Sequence, residues 1–141
     1  MRTLIETIAK KAGADRVIFA RSNEANNLLD DFEAGTVAIL KDFTGIVLEP
    51  KGNGLAENLT IDITIARPTF EFDAGADKNE LDKIMCYTAC KDFLMQITRN
   101  EHFLKLPAVT LTELTERVYD NHMIGYQMRF TIPLRYGYTR C

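Results

Sequence analysis

The side chains that most often perform enzymatic chemistry are scarce in this chain. Its 141 residues include one serine, Ser22, and two histidines, His102 and His122. Ser22 lies in Arg-Ser-Asn and lacks the Gly-x-Ser-x-Gly turn that presents a hydrolase serine. Neither histidine has a second ligand at metal-binding spacing. The sequence therefore identifies no catalytic residue, no metal site and no cofactor.

Cysteine is also rare, with three residues, Cys86, Cys90 and Cys141. Cys86 and Cys90 stand four apart in a helical pattern, where side chains are neighbours but the geometry for a disulfide is poor. A zinc site is the more specific functional alternative for these two cysteines, but a single Cys-x3-Cys pair is a weak signal for it. We expect reduced thiols in the core or at its boundary, and an exposed Cys141.

Strong net charge and long apolar runs are absent as well. The net charge of −3 and the pI of about 5.4 oppose a broad nucleic-acid footprint. The aromatic and basic tail around Tyr136 therefore favours an edge strand or a protein contact over base stacking. No apolar run approaches the roughly 20 residues that span a bilayer, and residues 1–6 lack the apolar core of a signal peptide. We expect cytoplasmic synthesis, no direct nucleic-acid binding and no membrane association.

Two acidic groups and one glycine-rich turn are the remaining candidates for chemistry. They are Asp30, Asp31 and Glu33; Asp73, Asp77 and Glu80; and Gly52-Asn53-Gly54. Neither acidic group has the ligand spacing of a calcium loop, and no Lys-Ser/Thr pair follows the turn as it does in phosphate-binding loops. Solvated charges, helix capping and an ordinary turn are the favoured interpretations.

Two segments, 59–65 and 126–134, alternate strictly between apolar and polar residues, which is typical of β-strands. Because successive side chains of a strand point to opposite faces, each segment has one face to bury. The predicted buried residues are Leu59, Ile61, Ile63, Ile65, Tyr126, Met128, Phe130, Ile132 and Leu134. The predicted polar face carries Thr60, Asp62, Thr64, Gln127, Arg129 and Thr131.

Apolar residues at helical spacing predict a short first helix that ends at Gly13 and a long helix over about 77–99. Asp77 and Glu80 have the spacing of a capping box at the start of the long helix. Its predicted core-facing stripe is Leu81, Ile84, Met85, Thr88, Ala89, Phe93, Leu94 and Ile97.

Shorter β-type runs cover 17–19, 36–40 and 43–48, with a further extended stretch near 109–114. Glycine and proline predict a flexible connection at 49–54 and a turn through Gly125. We predict a single α+β domain over residues 1–141. Its antiparallel, or mixed, sheet has five or six strands, with the long helix packed on one face.

The last hairpin reads Val118-Tyr119-Asp120-Asn121-His122-Met123-Ile124-Gly125-Tyr126-Gln127-Met128-Arg129-Phe130, an Asp-Asn-x-x-x-Gly turn followed by an alternating strand. In size, in the order of its elements and in this hairpin, the chain resembles the small tail-terminator and tail-completion proteins of long-tailed bacteriophages and prophages. The resemblance implies a non-enzymatic virion part that self-associates into a ring, six-fold by analogy, and joins tail-tube or head-completion proteins.

On that resemblance, the turns at 49–58 and 120–125 would contact neighbouring subunits or the tail tube. The residues expected at such contacts are Lys51, Asn53, Asn121, His122, Arg129 and Tyr136. Two other interpretations stay open. A small α+β enzyme or ligand-binding domain would have a pocket between the long helix and the sheet, and an adaptor would bind one protein through an exposed strand edge.

The alternation also allows a direct test of strand register. Ile63→Asp places a charge on the predicted buried face, so it should lower the free energy of unfolding by roughly 3 kcal/mol or more. Thr64→Asp, on the predicted polar face, should be mild. Denaturant unfolding measures both losses, and two equally small losses would show that the register is wrong.

Overall fold

The computed structural model of the chain describes residues 2–19, 35–41, 46–68, 75–114 and 123–134. Within these ranges the elements in chain order are α1 (Arg2–Lys11), β1 (Arg16–Phe19), β2 (Val37–Lys41), β3 (Ile46–Lys51), β4 (Gly54–Pro68), α2 (Gly75–Arg99), β5 (Thr112–Glu113) and β6 (Met123–Pro133). Six strands form one sheet in which only β1 and β2 pair in parallel. The predicted α+β class is confirmed, with one long and one short helix.

Strand β4 is the centre of the sheet because its fifteen residues pair along both edges. On one edge it pairs with β2 over 62–66 and with β3 over 54–59. On the other edge it pairs with β6 over 58–68, and β6 in turn pairs with the short β5. The strand order is therefore β1-β2-β4-β6-β5, with β3 beside β2 on the same edge of β4.

Helix α1 ends where the sequence predicts. Gly13 adopts a φ of 111°, a left-handed conformation that costs glycine no steric strain. The Gly13 amide donates to the Lys10 carbonyl and the Ala14 amide donates to the Ala9 carbonyl, both at 3.1 Å. These two hydrogen bonds are the Schellman pattern, which satisfies carbonyls that the end of a helix leaves unpaired.

One apolar core lies between the helices and one face of the sheet. The long helix α2 packs on β4 and β6, and α1 contacts both α2 and β1. Buried core residues come from α1 and the residue that follows it (Ile5, Ile8, Ala9 and Ala12), from α2 (Ala89, Cys90, Phe93 and Ile97) and from the strands (Leu40, Leu59, Ile61, Ile63, Ile65, Met128, Phe130 and Ile132). The predicted alternation is confirmed in both long strands, with Tyr126 half-buried at the margin.

The prediction of a polar outer face is wrong at one position, because Thr64 is only 2% exposed. Thr64 lies between Ile39 of β2 and Gln127 of β6. Ile39 and its neighbour Ile18 of β1 are also buried on this second face. The sheet is therefore covered on both faces at its β1–β2 end, which agrees with the continuous apolar run Val37-Ala38-Ile39-Leu40 of β2.

The predicted core-facing stripe of the long helix is wrong in its first half. Leu81, Ile84, Met85 and Thr88 are exposed, whereas Asp82, Cys86 and Cys90 are buried against the sheet. The predicted Ala89, Phe93 and Ile97 are buried, and Leu94 is half-buried. Apolar residues occupy both sides of this half of α2, so their spacing alone gave no basis for choosing the inner side.

One of two predicted turns is present. The connection predicted at 49–54 is a chain reversal, as expected, but the two residues Gly52 and Asn53 join β3 and β4 in a tight hairpin, so residues 49–51 and 54 are strand. Gly125, predicted in a turn, lies within β6 opposite Ala66. The long helix begins at Gly75, so Asp77 is not its N-cap residue. None of the helices in the described ranges is long and apolar enough to cross a membrane.

Several predictions concern residues outside the described ranges. These residues are Ser22, Asp30, Asp31, Glu33, Gly45, Asp73, Asn121, His122, Tyr136 and Cys141.

Ile63→Asp remains a suitable variant for testing the strand register, because Ile63 is fully buried opposite Leu40 and Met128. A loss of roughly 3 kcal/mol or more in the free energy of unfolding is expected because the carboxylate has no partner there. Thr64 is buried too, so the matched control is Thr131→Asp on the exposed side of β6. Because Thr131→Asp removes the hydroxyl contact with Thr60, urea unfolding should show a loss of about 1 kcal/mol or less for the control; comparable losses in the two variants would contradict the assigned faces.

Gly125 marks a close approach of β6 to β4. A Cβ atom at this position would lie 2.6 Å from the Cα and 2.9 Å from the Cβ of Ala66, and closer still to the Ile65 carbonyl oxygen. Because these are mainly backbone atoms, Gly125→Ala must push the two strands apart, at a cost of about 2 kcal/mol. In Gly54→Ala, the matched control, the new Cβ meets no atom within 4 Å. Thermal unfolding should give the control a melting temperature close to that of the parent protein. Equal melting temperatures for both variants would refute the close approach.

Candidate assembly surface

A two-stranded arm projects from the sheet. We define the arm as residues 46–57, which comprise β3, the Gly52-Asn53 turn and the first four residues of β4. Gly52 has a φ of 60°, the conformation of the first central residue in the tight primed turns that join such strands. The pairing of β6 with β4 begins only at Asn58. The arm therefore extends about 13 Å beyond β6, at the usual rise of a strand.

One face of the arm continues the core face of the sheet into solvent. Residues directly opposite in an antiparallel pair share a face. Ile46 is opposite Leu59, and Pro50 is opposite Leu55, so these side chains lie on the face that buries Ile61 and Ile63 further along β4. Ile46, Leu48 and Leu55 are 50%, 56% and 60% exposed. The arm thus presents an apolar face that no other element in the described ranges covers.

A proline limits strand pairing at the outer edge of the arm. Lys51 and Gly54 flank the two-residue turn and form a hydrogen-bonded pair, so the next pair, Pro50 and Leu55, points its backbone groups away from each other. Pro50 therefore costs the hairpin no hydrogen bond, and it removes an outward donor from the edge of β3. The outward donors that remain on the described part of β3 are the amides of Ile46 and Leu48, a short edge for pairing with another strand.

A second exposed apolar surface runs along α2. We define the α2 stripe as Leu81, Ile84, Met85, Thr88 and Met95, with the charged residues Lys91, Asp92 and Arg99. The first four positions recur at i, i+3, i+4 and i+7, which places them on one side of the helix. Leu81 and Ile84 are more than half exposed. A helix with apolar residues on both sides is usually buried on both.

On the polar side of the sheet, side chains of β4 and β6 pair with one another. The hydroxyls of Thr60 and Thr131 are 3.0 Å apart, and Gln127 Nε2 donates to Asp62 Oδ1 at 3.1 Å. Arg129 lies directly opposite Asp62 in the ladder and is exposed. These pairs stabilise the two strands, and Arg129 remains exposed beside them.

A polar cluster beside α2 is the closest approach to a reactive site in the described part of the chain. Arg67 Nε donates to Asp82 Oδ1 at 3.1 Å, and Arg67 Nη1 donates to Thr36 Oγ1 at 2.9 Å. The Thr36 amide in turn donates to Asp15 Oδ2 at 2.8 Å. The cluster therefore connects the α1–β1 turn, β2, β4 and α2, which is a structural role.

The two buried cysteines lie beside this cluster. Both are free, and Cys86 Sγ donates to the Ile124 carbonyl at 3.4 Å. Burial raises the pKa of each thiol to about 12. Since the thiolate is the nucleophile and the metal ligand, these thiols are inert at neutral pH. The predicted reduced core thiols are confirmed for Cys86 and Cys90.

No group of three or more His, Cys, Asp or Glu side chains in the described ranges is placed to hold a metal ion.

The structure places three of the predicted contact residues. Lys51 and Asn53 are exposed at the tip of the arm, and Arg129 is exposed on the polar side of β6. Asn121, His122 and Tyr136 lie outside the described ranges. The prediction missed the apolar residues of the arm and of the α2 stripe. The apolar spacing of these residues is visible in the sequence, but the prediction assigned every apolar residue at strand or helix spacing to the core.

No protein-family model matches this chain, and neither a curated protein sequence nor a solved structure matches it. Interpretation of its surfaces therefore depends on the physical properties of the chain itself.

The Arg67–Asp82 pair can be tested as a structural connection. Arg67→Met leaves the nearly buried Asp82 without its partner, so the free energy of unfolding should fall by about 2–3 kcal/mol, a loss moderated by the partial exposure of Arg67. The double variant Arg67→Met/Asp82→Leu should recover much of that loss because no unpaired charge is left.

Lys10→Met, which breaks the exposed Lys10–Glu6 pair, is the matched control for Arg67→Met and should lose no more than about 0.5 kcal/mol. Urea unfolding measures all three variants. A loss for Arg67→Met no larger than that of the control would exclude a structural role for the cluster.

Proposed function

We propose that this protein is a non-enzymatic assembly component that self-associates into a ring, as the resemblance to phage tail-terminator and tail-completion proteins implies. The observation that carries the proposal is the arm. A two-stranded hairpin is marginally stable in water by itself, and exposed apolar patches on folded proteins mark interaction sites. An arm with an uncovered apolar face is therefore a surface built for a protein partner.

The second apolar surface supports self-association in particular. A copy that carries two unlike contact surfaces can bind one neighbour through each of them, and such head-to-tail contacts close into a ring when the rotation per copy allows it. By the resemblance, the ring is a hexamer that joins tail-tube or head-completion proteins, and the protein is made in the cytoplasm and incorporated into the virion.

The alternatives have less support. A ligand-binding domain or enzyme would have a pocket between the long helix and the sheet. The described residues in that region include Phe93, Ile97, Ile63 and Met128, whose side chains are buried in the common core. An adaptor that adds a partner strand would use a long open edge, and Pro50 interrupts the edge of β3.

Size and shape in solution test the proposal. Light scattering coupled to size-exclusion chromatography should give a mass that rises with concentration toward six chains of 16.0 kDa, about 96 kDa. Negative-stain microscopy, alone or with the cognate tail-tube protein, should show rings. A monodisperse monomer at high concentration that forms no ring in either condition would refute the proposal.

A further inference from the structure

We propose that the arm of one copy lies on the α2 stripe of the next copy, so that the ring is built from one repeated arm-to-helix contact. This inference rests on the proposed self-association and names the surfaces that perform it. Within the part of one chain that the structure describes, both surfaces stay exposed, including Leu48 and Leu55 on the arm and Ile84 on the stripe. A second copy supplies the missing cover for each of them.

The two surfaces match in length. On the arm, the apolar row Ile46, Leu48 and Pro50 covers about 13 Å, at 3.3 Å per strand residue. On the stripe, the row from Leu81 to Thr88 covers about 10 Å, at 1.5 Å per helical residue. A two-stranded ribbon can therefore lie along the first two turns of the stripe with its apolar face toward the helix.

Charge is also complementary. Glu57 lies opposite Leu48 and thus on the apolar face of the arm. On the stripe, Lys91 lies between Thr88 and Met95, with its ammonium 5.5 Å from the centre of the Tyr87 ring. The arm as a whole carries Glu49, Glu57 and Lys51, whereas the stripe carries Lys91, Arg99 and Asp92. A contact between Glu57 and Lys91 of the neighbouring copy would fix the register of the arm on the helix.

The size of the arm favours a closed ring over an isolated pair. A standard protein interface uses about 20–30 residues on each side, and the arm has twelve. A single arm contact is therefore weak. In a ring each copy makes two contacts, one with its arm and one with its stripe, so closure strengthens an interface that is small by itself.

Two surface variants test the contact by complementation. Leu48→Glu destroys the apolar face of the arm and keeps the stripe, whereas Ile84→Glu destroys the stripe and keeps the arm. Both residues are more than half exposed, so each variant should fold, which circular dichroism and thermal unfolding verify. In analytical ultracentrifugation, each variant alone should associate at least tenfold more weakly than the parent protein.

At high concentration, an equimolar mixture of the two variants should associate more tightly than either variant alone. Association should stop at a one-to-one dimer of two 16.0 kDa chains, because one intact arm then meets one intact stripe and no ring can close. Lys11→Glu, an exposed substitution on α1, is the control and should assemble as the parent does. The double charge exchange Glu57→Lys/Lys91→Glu should assemble better than either single exchange.

Each other outcome overturns the inference in a distinguishable way. If Ile84→Glu assembles normally while Leu48→Glu does not, the contact runs from arm to arm or from arm to another surface. If neither variant weakens assembly, or the mixture associates no more tightly than either variant alone, the arm-to-helix contact is wrong while the ring itself stands. A parent protein that never associates refutes the proposed function before the variants are compared.

Discussion

The pairing of β4 with β6 over eleven residues is the interaction on which the remaining elements depend. It aligns Ile61 with Phe130 and Ile63 with Met128, so one register places the apolar halves of both strands on the same face. Helix α2 packs on that face, and β2 and β3 use the other edge of β4. A slip of one residue would turn each of these side chains to the opposite face. The absence of a side chain at Gly125 lets the two backbones approach closely at the Ala66 end of this pairing.

The choice of which side of α2 faces the sheet has a direct consequence for the surface. The inner side of the first half carries Asp82, Cys86 and Ala89, whose side chains are short, and Arg67 reaches Asp82 from β4. Short side chains let the helix lie close to the strands, and the salt bridge fixes its rotation. The longer apolar side chains of the same turns are consequently left on the outside, where they form the α2 stripe. A buried ion pair thus helps to create an exposed apolar surface.

The arm follows from the unequal lengths of the strands. β4 is fifteen residues long and β6 is eleven, so residues 54–56 of β4 pair with β3 only, and the Glu57 carbonyl also accepts a hydrogen bond from the Leu134 amide. The face that carries Leu55 continues beyond the helices, where no element in the described ranges covers it. The face that forms the core at Ile61 and Ile63 is exposed at Leu55 and Ile46. Core and proposed contact surface are therefore the same face of one sheet, divided by where the covering helices end.

The sequence by itself determined the periodic features: the alternation of both long strands, the short first helix with its stop at Gly13, and the long helix. Each depends on local spacing, which the chain records directly. Tertiary structure alone decided that Thr64 is buried, because Ile39 of β2 lies beside it, and that Leu81, Ile84 and Met85 face outward, because Asp82 pairs with Arg67. It also decided that the glycine-rich segment at 49–54 is the end of a projecting arm rather than a flexible loop. Residue type shows that a side chain is apolar, and spacing shows which neighbours share its face. Whether that face is covered depends on residues far away in the chain.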